Sequence, residues 1–154
     1  MELTYREERH KFLEQHLSLL DERNKTCILM NHGTIIYESD ALGVKPLREL
    51  RRMSFTRKEG DQLTLIDRVI GKGALMLAQL LGIDAIYTPL TSENAIAYNR
   101  LSRIPLFYME RVPMIENRTR TEMCPIERSV LHTTDPVEGE RCIEDAIAIL
   151  MKNA

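Results

Sequence analysis

A chain of 154 residues, 44% apolar and 29% charged, has the size and composition of one globular domain with a sizeable core. A net charge of −2, few aromatic residues and no Trp give no reason to expect nucleic acid or an anionic membrane as a partner. Cys27, Cys124 and Cys142 form no C-x-x-C pair, Met1–His10 has no apolar leader core, and no apolar run nears the ~20 residues that span a bilayer, so a reduced cytoplasmic protein is predicted.

Thr4-x-x-Glu7 has the form of a capping box, and Tyr5, Phe12, Leu13, Leu17 and Leu20 share one helical face. The pattern predicts an amphipathic helix over 5–22. Strands are predicted over Thr26–Met30 and Thr34–Glu38, joined at Asn31-His32-Gly33, where Gly33 can take the positive φ of a tight hairpin. Residues 40–63 are irregular, with a short helix over Leu47–Met53. Arg48, Arg51, Arg52, Arg57 and Lys58 make this segment basic. It reads either as a solvated face and loop or as a flap carrying cations over a phosphate or carboxylate.

Leu65–Leu81 has the spacing of a long helix, apolar over so much of its circumference that it is expected to be central, with Gly82 as its C′ residue. Asp84–Pro89 then reads as a strand, Ser92–Ser102 as a helix capped by Thr91 or Ser92, and Pro105–Met109 as a strand, which makes a parallel crossover. Pro113–Thr121 reads as loop, with Val112–Ile115 as a candidate edge strand. Helices are predicted near 125–131 and over 136–152, the latter with Cys142, Ile143, Ala146, Ile149 and Leu150 facing inward. No repeat or linker divides residues 1–154, so a single domain is expected.

Several motifs carry both a structural and a functional reading. Asp67-Arg-Val-Ile-Gly-Lys72-Gly-Ala places Gly71 and Gly73 inside the predicted helix, where each costs about 1 kcal/mol relative to Ala, so close approach of a backbone or a ligand is expected. The spacing is not that of a phosphate-binding loop. Cys124-Pro-Ile-Glu127 opens a helix, as Asp135-Pro-Val-Glu138 does, so Pro125 and Glu127 have a capping explanation. The thiol at the cap is the unusual choice, and it makes Cys124 the candidate nucleophile. Asn117-Arg118 offers a fork for an anion or an ordinary surface ion pair. Ser92 stands where open α/β sheets present anions, and equally where helices are capped. His10, His16, His32 and His132 are scattered. None pairs with a second ligand type in a metal-binding pattern, and His132 fits a role at helix C-terminal carbonyls.

Together, Asp67-Arg-Val-Ile-Gly-Lys-Gly-Ala, Ser92-Glu93, Val112-Pro-x-Ile-x-Asn-Arg118 and Cys124-Pro-x-Glu127 resemble an uncharacterised prokaryotic family of unknown function. The resemblance implies a cytidine-deaminase-like fold: three layers, α/β/α, with a mixed sheet. Deaminase chemistry needs H-x-E at one helix start and P-C-x-x-C at the next. Here those places hold Leu65-Ile-Asp-Arg-Val and Pro89-Leu-Thr-Ser-Glu-Asn, so the deaminase zinc ligands are missing and neither metal nor cofactor is expected.

The resulting expectation is a domain that binds a small anionic or nucleotide-like molecule where helix starts gather. Lys72 and Arg118 neutralise charge, Ser92 holds the anion, and Asp67 or Asn117 orients it. Any chemistry is assigned to Cys124, with Glu127 or Asp67 as proton acceptor. The alternatives are a non-catalytic interaction module, such as a homo-oligomer, and a thiol enzyme using Cys124.

Overall fold

The computed structural model describes residues 4–153; residues 1–3, part of the stretch read for a leader, and residue 154 lie outside the described residues. Helix α1 (Tyr5–Glu22) starts at the expected capping box: Thr4 accepts from the Glu7 N–H, and the Glu7 carboxylate accepts from the Thr4 N–H. Leu13 and Leu20 are buried, but Tyr5 at the free end of the stripe stays exposed. Strands β1 (Cys27–Asn31) and β2 (Thr34–Ser39) form the expected antiparallel hairpin. His32 and Gly33 both take positive φ, as a two-residue turn matching the strand twist requires.

Helix α2 (Lys45–Arg52) follows, and here the flap reading fails. Arg48 makes a two-pronged ion pair with Glu144, Arg51 makes one with Glu140, and Arg57 binds Asp84. These cations stitch α2 and its following loop to the rest of the fold.

The predicted helix over Leu65–Leu81 is corrected. Its first part is strand: β3 (Leu63–Asp67) and β4 (Val69–Ile70), with helix α3 only from Lys72 to Leu81. A strand buried on both faces reads as a continuous apolar run, and it leads directly into a helix that is itself apolar all round. β3 and β4 lie along the same edge of β5 (Ala85–Ser92), because β6 (Leu106–Val112) occupies the other edge. They act as one strand broken at Arg68. The break faces Pro89, which has no N–H for the ladder and is skipped by both neighbours. The Thr88 hydroxyl accepts the Leu90 N–H beside it.

The sheet runs β2-β1-β3/β4-β5-β6, with β1 antiparallel to both neighbours and the later pairs parallel. Alternation along the strands sorts side chains into two cores. Ile28, Ile66 and Tyr87 pack under α1 with Leu13 and Leu20. Cys27, Leu29, Leu65 and Ile86 pack on the other face with α2, α3, helix α4 (Glu93–Ser102) and Val130 and Ile143 near the C-terminus. Three layers result. Two short crossovers, β4–α3–β5 and β5–α4–β6, place the starts of α3 and α4 at the C-terminal ends of adjacent parallel strands.

Beyond β6, residues 113–115 do not extend the sheet; a single bridge, Glu116 to Met123, closes the loop. Helix α5 spans Pro125–Ser129 and α6 spans Pro136–Lys152. On α6, Gly139 and Ile143 are buried, but Ile149 and Leu150, expected to face inward, are exposed. Among the described residues, no helix is long and apolar enough to cross a membrane.

Candidate functional site

The helix starts do gather, and the group they gather around belongs to the chain itself. Gly71 follows β4 and caps α3; Ser92 ends β5 and caps α4. Glu127, in the first turn of α5, sends its carboxylate into the space between them. The Lys72 N–H donates to Glu127 Oε1 at 2.6 Å, and the Ser92 hydroxyl donates to Oε2 at 2.8 Å while accepting the Ala95 N–H at 3.1 Å. The Gly73 N–H, next in the same turn, also favours the charged carboxylate. An anion at a helix N-terminus is favourable, and here Glu127 supplies it. Burial raises its pKa above the ordinary carboxylate value, while the hydrogen bonds from Ser92, Lys72 and Gly73 pull the other way.

This arrangement explains Gly71. A Cβ there would lie 2.6 Å from Glu127 Oε2, so the carboxylate fills the space a side chain would need. Gly73 faces Ile143 and Ile126 instead. Both close approaches anticipated from the sequence therefore exist, although Gly71 caps α3 and lies outside its interior.

A cleft of about 80 Å³ opens beside Glu127. Val69, Gly71, Gly73 and Ala74 form one wall, Gly43 and Val44 another, and Ile115, Cys124 and Ile126 close it. Cys124 is thus beside the start of α3, although two strands, β5 and β6, helix α4 and a long loop intervene in sequence. It caps α5 without a side-chain hydrogen bond, and five residues give α5 little dipole to act on the thiol.

The remaining predicted site residues lie elsewhere. The Lys72 side chain is buried. Its Nζ donates to the Leu131 carbonyl at 3.3 Å and lies 5.8 Å from the centre of the Tyr98 ring. Burial lowers its pKa, opposed by Glu127. Asn117 Oδ1 accepts from the Thr121 N–H and the Thr119 hydroxyl, closing its own loop. Arg118 is exposed, and neither it nor Asn117 lines the cleft. Asp67 is also outside the cleft lining. It ends β3 opposite Cys27 and accepts from the Val69 N–H where the strand breaks, while the Arg68 N–H donates to the Thr26 carbonyl. Burial pushes its pKa up to about 8, and it pushes that of the Cys27 thiol up as well, with Asp67 adding to the effect. Of the seven predicted residues, the structure brings together Glu127, Ser92, Cys124 and the backbone of Lys72.

Sequence reasoning missed two features. His16 is stacked on Tyr87, with ring centres 3.9 Å apart, under α1. His132 sits beside Glu138 and Cys142 at the α5–α6 junction. The spacing His-x5-Glu-x3-Cys, with two members one helical turn apart, was the available signal.

The family described as domain of unknown function DUF1893 (TM1506) matches residues 15–147, most of the chain. The chain belongs to this family. Its fold is similar to the crystal structure of a DUF1893 family protein, TM1506, from Thermotoga maritima, with a TM-score of 0.73, 24% identity and coverage of 88% of each chain. At that identity the likeness speaks for the fold alone. No curated protein matches this chain. The family's description, a domain of unknown function, assigns no activity.

Proposed function

We propose that this DUF1893 domain has a cytidine-deaminase-like fold and binds a small planar ligand bearing N–H donors, such as the base of a nucleotide-like molecule, in the cleft beside Glu127. The mixed sheet with helices on both faces, and the paired helix starts at adjacent parallel strand ends, support the fold assignment. The observation that carries the ligand class is the Glu127 carboxylate held by the Lys72 N–H and the Ser92 hydroxyl. It narrows the earlier expectation: the donors that would greet a phosphate already have an anion. The Lys72 ammonium is engaged at Leu131, and Arg118 lies outside the cleft. A carboxylate offers about four acceptor positions, and its hydrogen bonds from the Lys72 N–H and the Ser92 hydroxyl leave acceptor capacity for a ligand.

Neither α3 nor α4 starts with His or Cys: the residues there are Gly71-Lys72-Gly73 and Ser92-Glu93-Asn94. The proposal therefore excludes the deaminase type of zinc site. The free thiols Cys27, Cys124 and Cys142 suit a reducing cytoplasm.

Thermal-shift measurements with cytosine, adenine, their nucleosides and inorganic phosphate test the ligand class. A base present at about a hundred times its Kd should raise Tm by about 5–10 °C. Glu127→Gln should abolish the shift. Val69→Phe, which narrows the cleft from its exposed rim, should abolish it without touching the Glu127 hydrogen bonds. Stabilisation by phosphate alone, or by none of these compounds, contradicts the proposal.

A second reading, a thiol enzyme, rests on Cys124 and Glu127 lining the same cleft. It predicts that Cys124, followed by mass spectrometry of the labelled peptide, reacts with iodoacetamide at pH 7 faster than free cysteine. An equal or slower rate removes this reading.

A further inference from the structure

We propose that His132, Glu138 and Cys142 form a site for a thiophilic divalent cation, zinc above all, at the junction of α5 and α6. His132 Nε2 lies 3.8 Å from Cys142 Sγ and 3.7 Å from Glu138 Oε1, and one ligand atom from each residue lies within 4.8 Å of the other two. In a tetrahedral zinc site, bond lengths of about 2.3 Å to sulfur and 2.05 Å to nitrogen separate those two ligand atoms by about 3.6 Å; a nitrogen–oxygen pair stands about 3.4 Å apart. The side chains already stand within a few tenths of an ångström of those spacings.

The local sequence builds this geometry. Glu138 and Cys142 are one turn apart on the seventeen-residue helix α6, so they project from the same face. His132 is carried by the tight connection between α5 and α6, fixed by hydrogen bonds from the Thr133 N–H to the Val130 carbonyl and from the Asp135 N–H to the Thr133 hydroxyl. The same Thr133 hydroxyl donates to Glu138 Oε2 at 3.1 Å. It occupies one carboxylate oxygen and leaves the other, Oε1, towards His132. A fixed outer partner of this kind orients a metal-binding carboxylate. Arg141, 3.8 Å from Glu138 Oε1, is the group that must swing away, and its side chain is mostly exposed and free to do so.

Three protein ligands leave a fourth corner, and the exposure of His132 opens it to water. Neutral imidazole, thiolate and carboxylate sum to a charge of −2, which zinc balances; binding releases the thiol proton to solvent. A thiolate favours zinc over calcium or magnesium. The site lies apart from the Glu127 cleft, none of whose lining residues belongs to it.

Cobalt(II) titration of the reduced full-length protein tests the site. One equivalent should produce a thiolate-to-cobalt charge-transfer band, and zinc should bleach it. Cys142→Ser should eliminate the band, and His132→Ala and Glu138→Gln should each weaken cobalt binding about tenfold or more; Cys124→Ser should leave the band intact. All four positions are at least partly exposed, and circular dichroism checks that each variant folds. Absence of the band at stoichiometric cobalt, its persistence in Cys142→Ser, or indifference to both His132→Ala and Glu138→Gln overturns the proposal.

Discussion

Asp67 shows how burial changes what a residue can do. Its carboxyl is held between sheet and helices opposite Cys27, with its pKa pushed up to about 8. The folded chain therefore keeps a proton that the unfolded chain releases near the ordinary value of 3.8. Between those limits the folded state binds more protons, so this group's contribution to stability falls as pH rises, by at most about 1.4 kcal/mol per pH unit. Asp67→Asn should remove that fall. Urea unfolding should find the variant more stable than wild type at pH 8, with the advantage shrinking towards pH 5; an advantage independent of pH contradicts the assignment. Glu127 is buried too and its pKa is also raised, but the Ser92 hydroxyl and the Lys72 N–H at the start of α3 donate to its carboxylate and oppose the shift. The sequence put both acids on the candidate list and could not separate them, because the difference lies in partners such as Lys72, 55 residues away from Glu127.

The elements with local signals were legible. The capping box of α1, the His32-Gly33 turn, Gly82 in the left-handed conformation after α3 and the Asp135 cap of α6 each formed as read. β3 was not legible, since a two-face-buried strand and an all-apolar helix share the same apolar pattern and only the polar break at Asp67-Arg68 separates strand segments there. The start of α3 yields its own prediction. Gly71→Ala puts a methyl group against Glu127 Oε2 and must displace a carboxylate held by hydrogen bonds from Lys72 and Ser92, so it should cost about 1–3 kcal/mol. Gly73→Ala meets the flexible side-chain ends of Ile143, at 3.2 Å, and Ile126, at 3.4 Å, and gains up to about 1 kcal/mol in helix propensity, so it should be near neutral. Thermal unfolding of the two variants checks the order; a Gly73→Ala loss equal to that of Gly71→Ala would show that Glu127 is not what fills the space at Gly71.

At the scale of the molecule, a mixture of strands and helices was readable from periodicity, the layering was implied by the family resemblance, and the six-stranded mixed sheet agrees with an α/β fold. The convergence of distant motifs was readable only in part. Ser92, Cys124 and Glu127 meet because two crossovers align the helix starts and the 113–124 loop returns the chain to them. Lys72 and Arg118 were expected to supply positive charge to the same place; one is drawn to a helix-end carbonyl and the other stays outside. The place that a phosphate would take is consequently filled by Glu127, and the ligand expected is one that complements a carboxylate. Amide-resolved NMR titration with cytidine, adenosine and inorganic phosphate tests this most directly. The account predicts saturable shifts at Gly71, Gly73, Ala74, Cys124 and Glu127 with at least one nucleoside and none there with phosphate. Phosphate shifting those amides, or nucleosides leaving them unmoved, would contradict it.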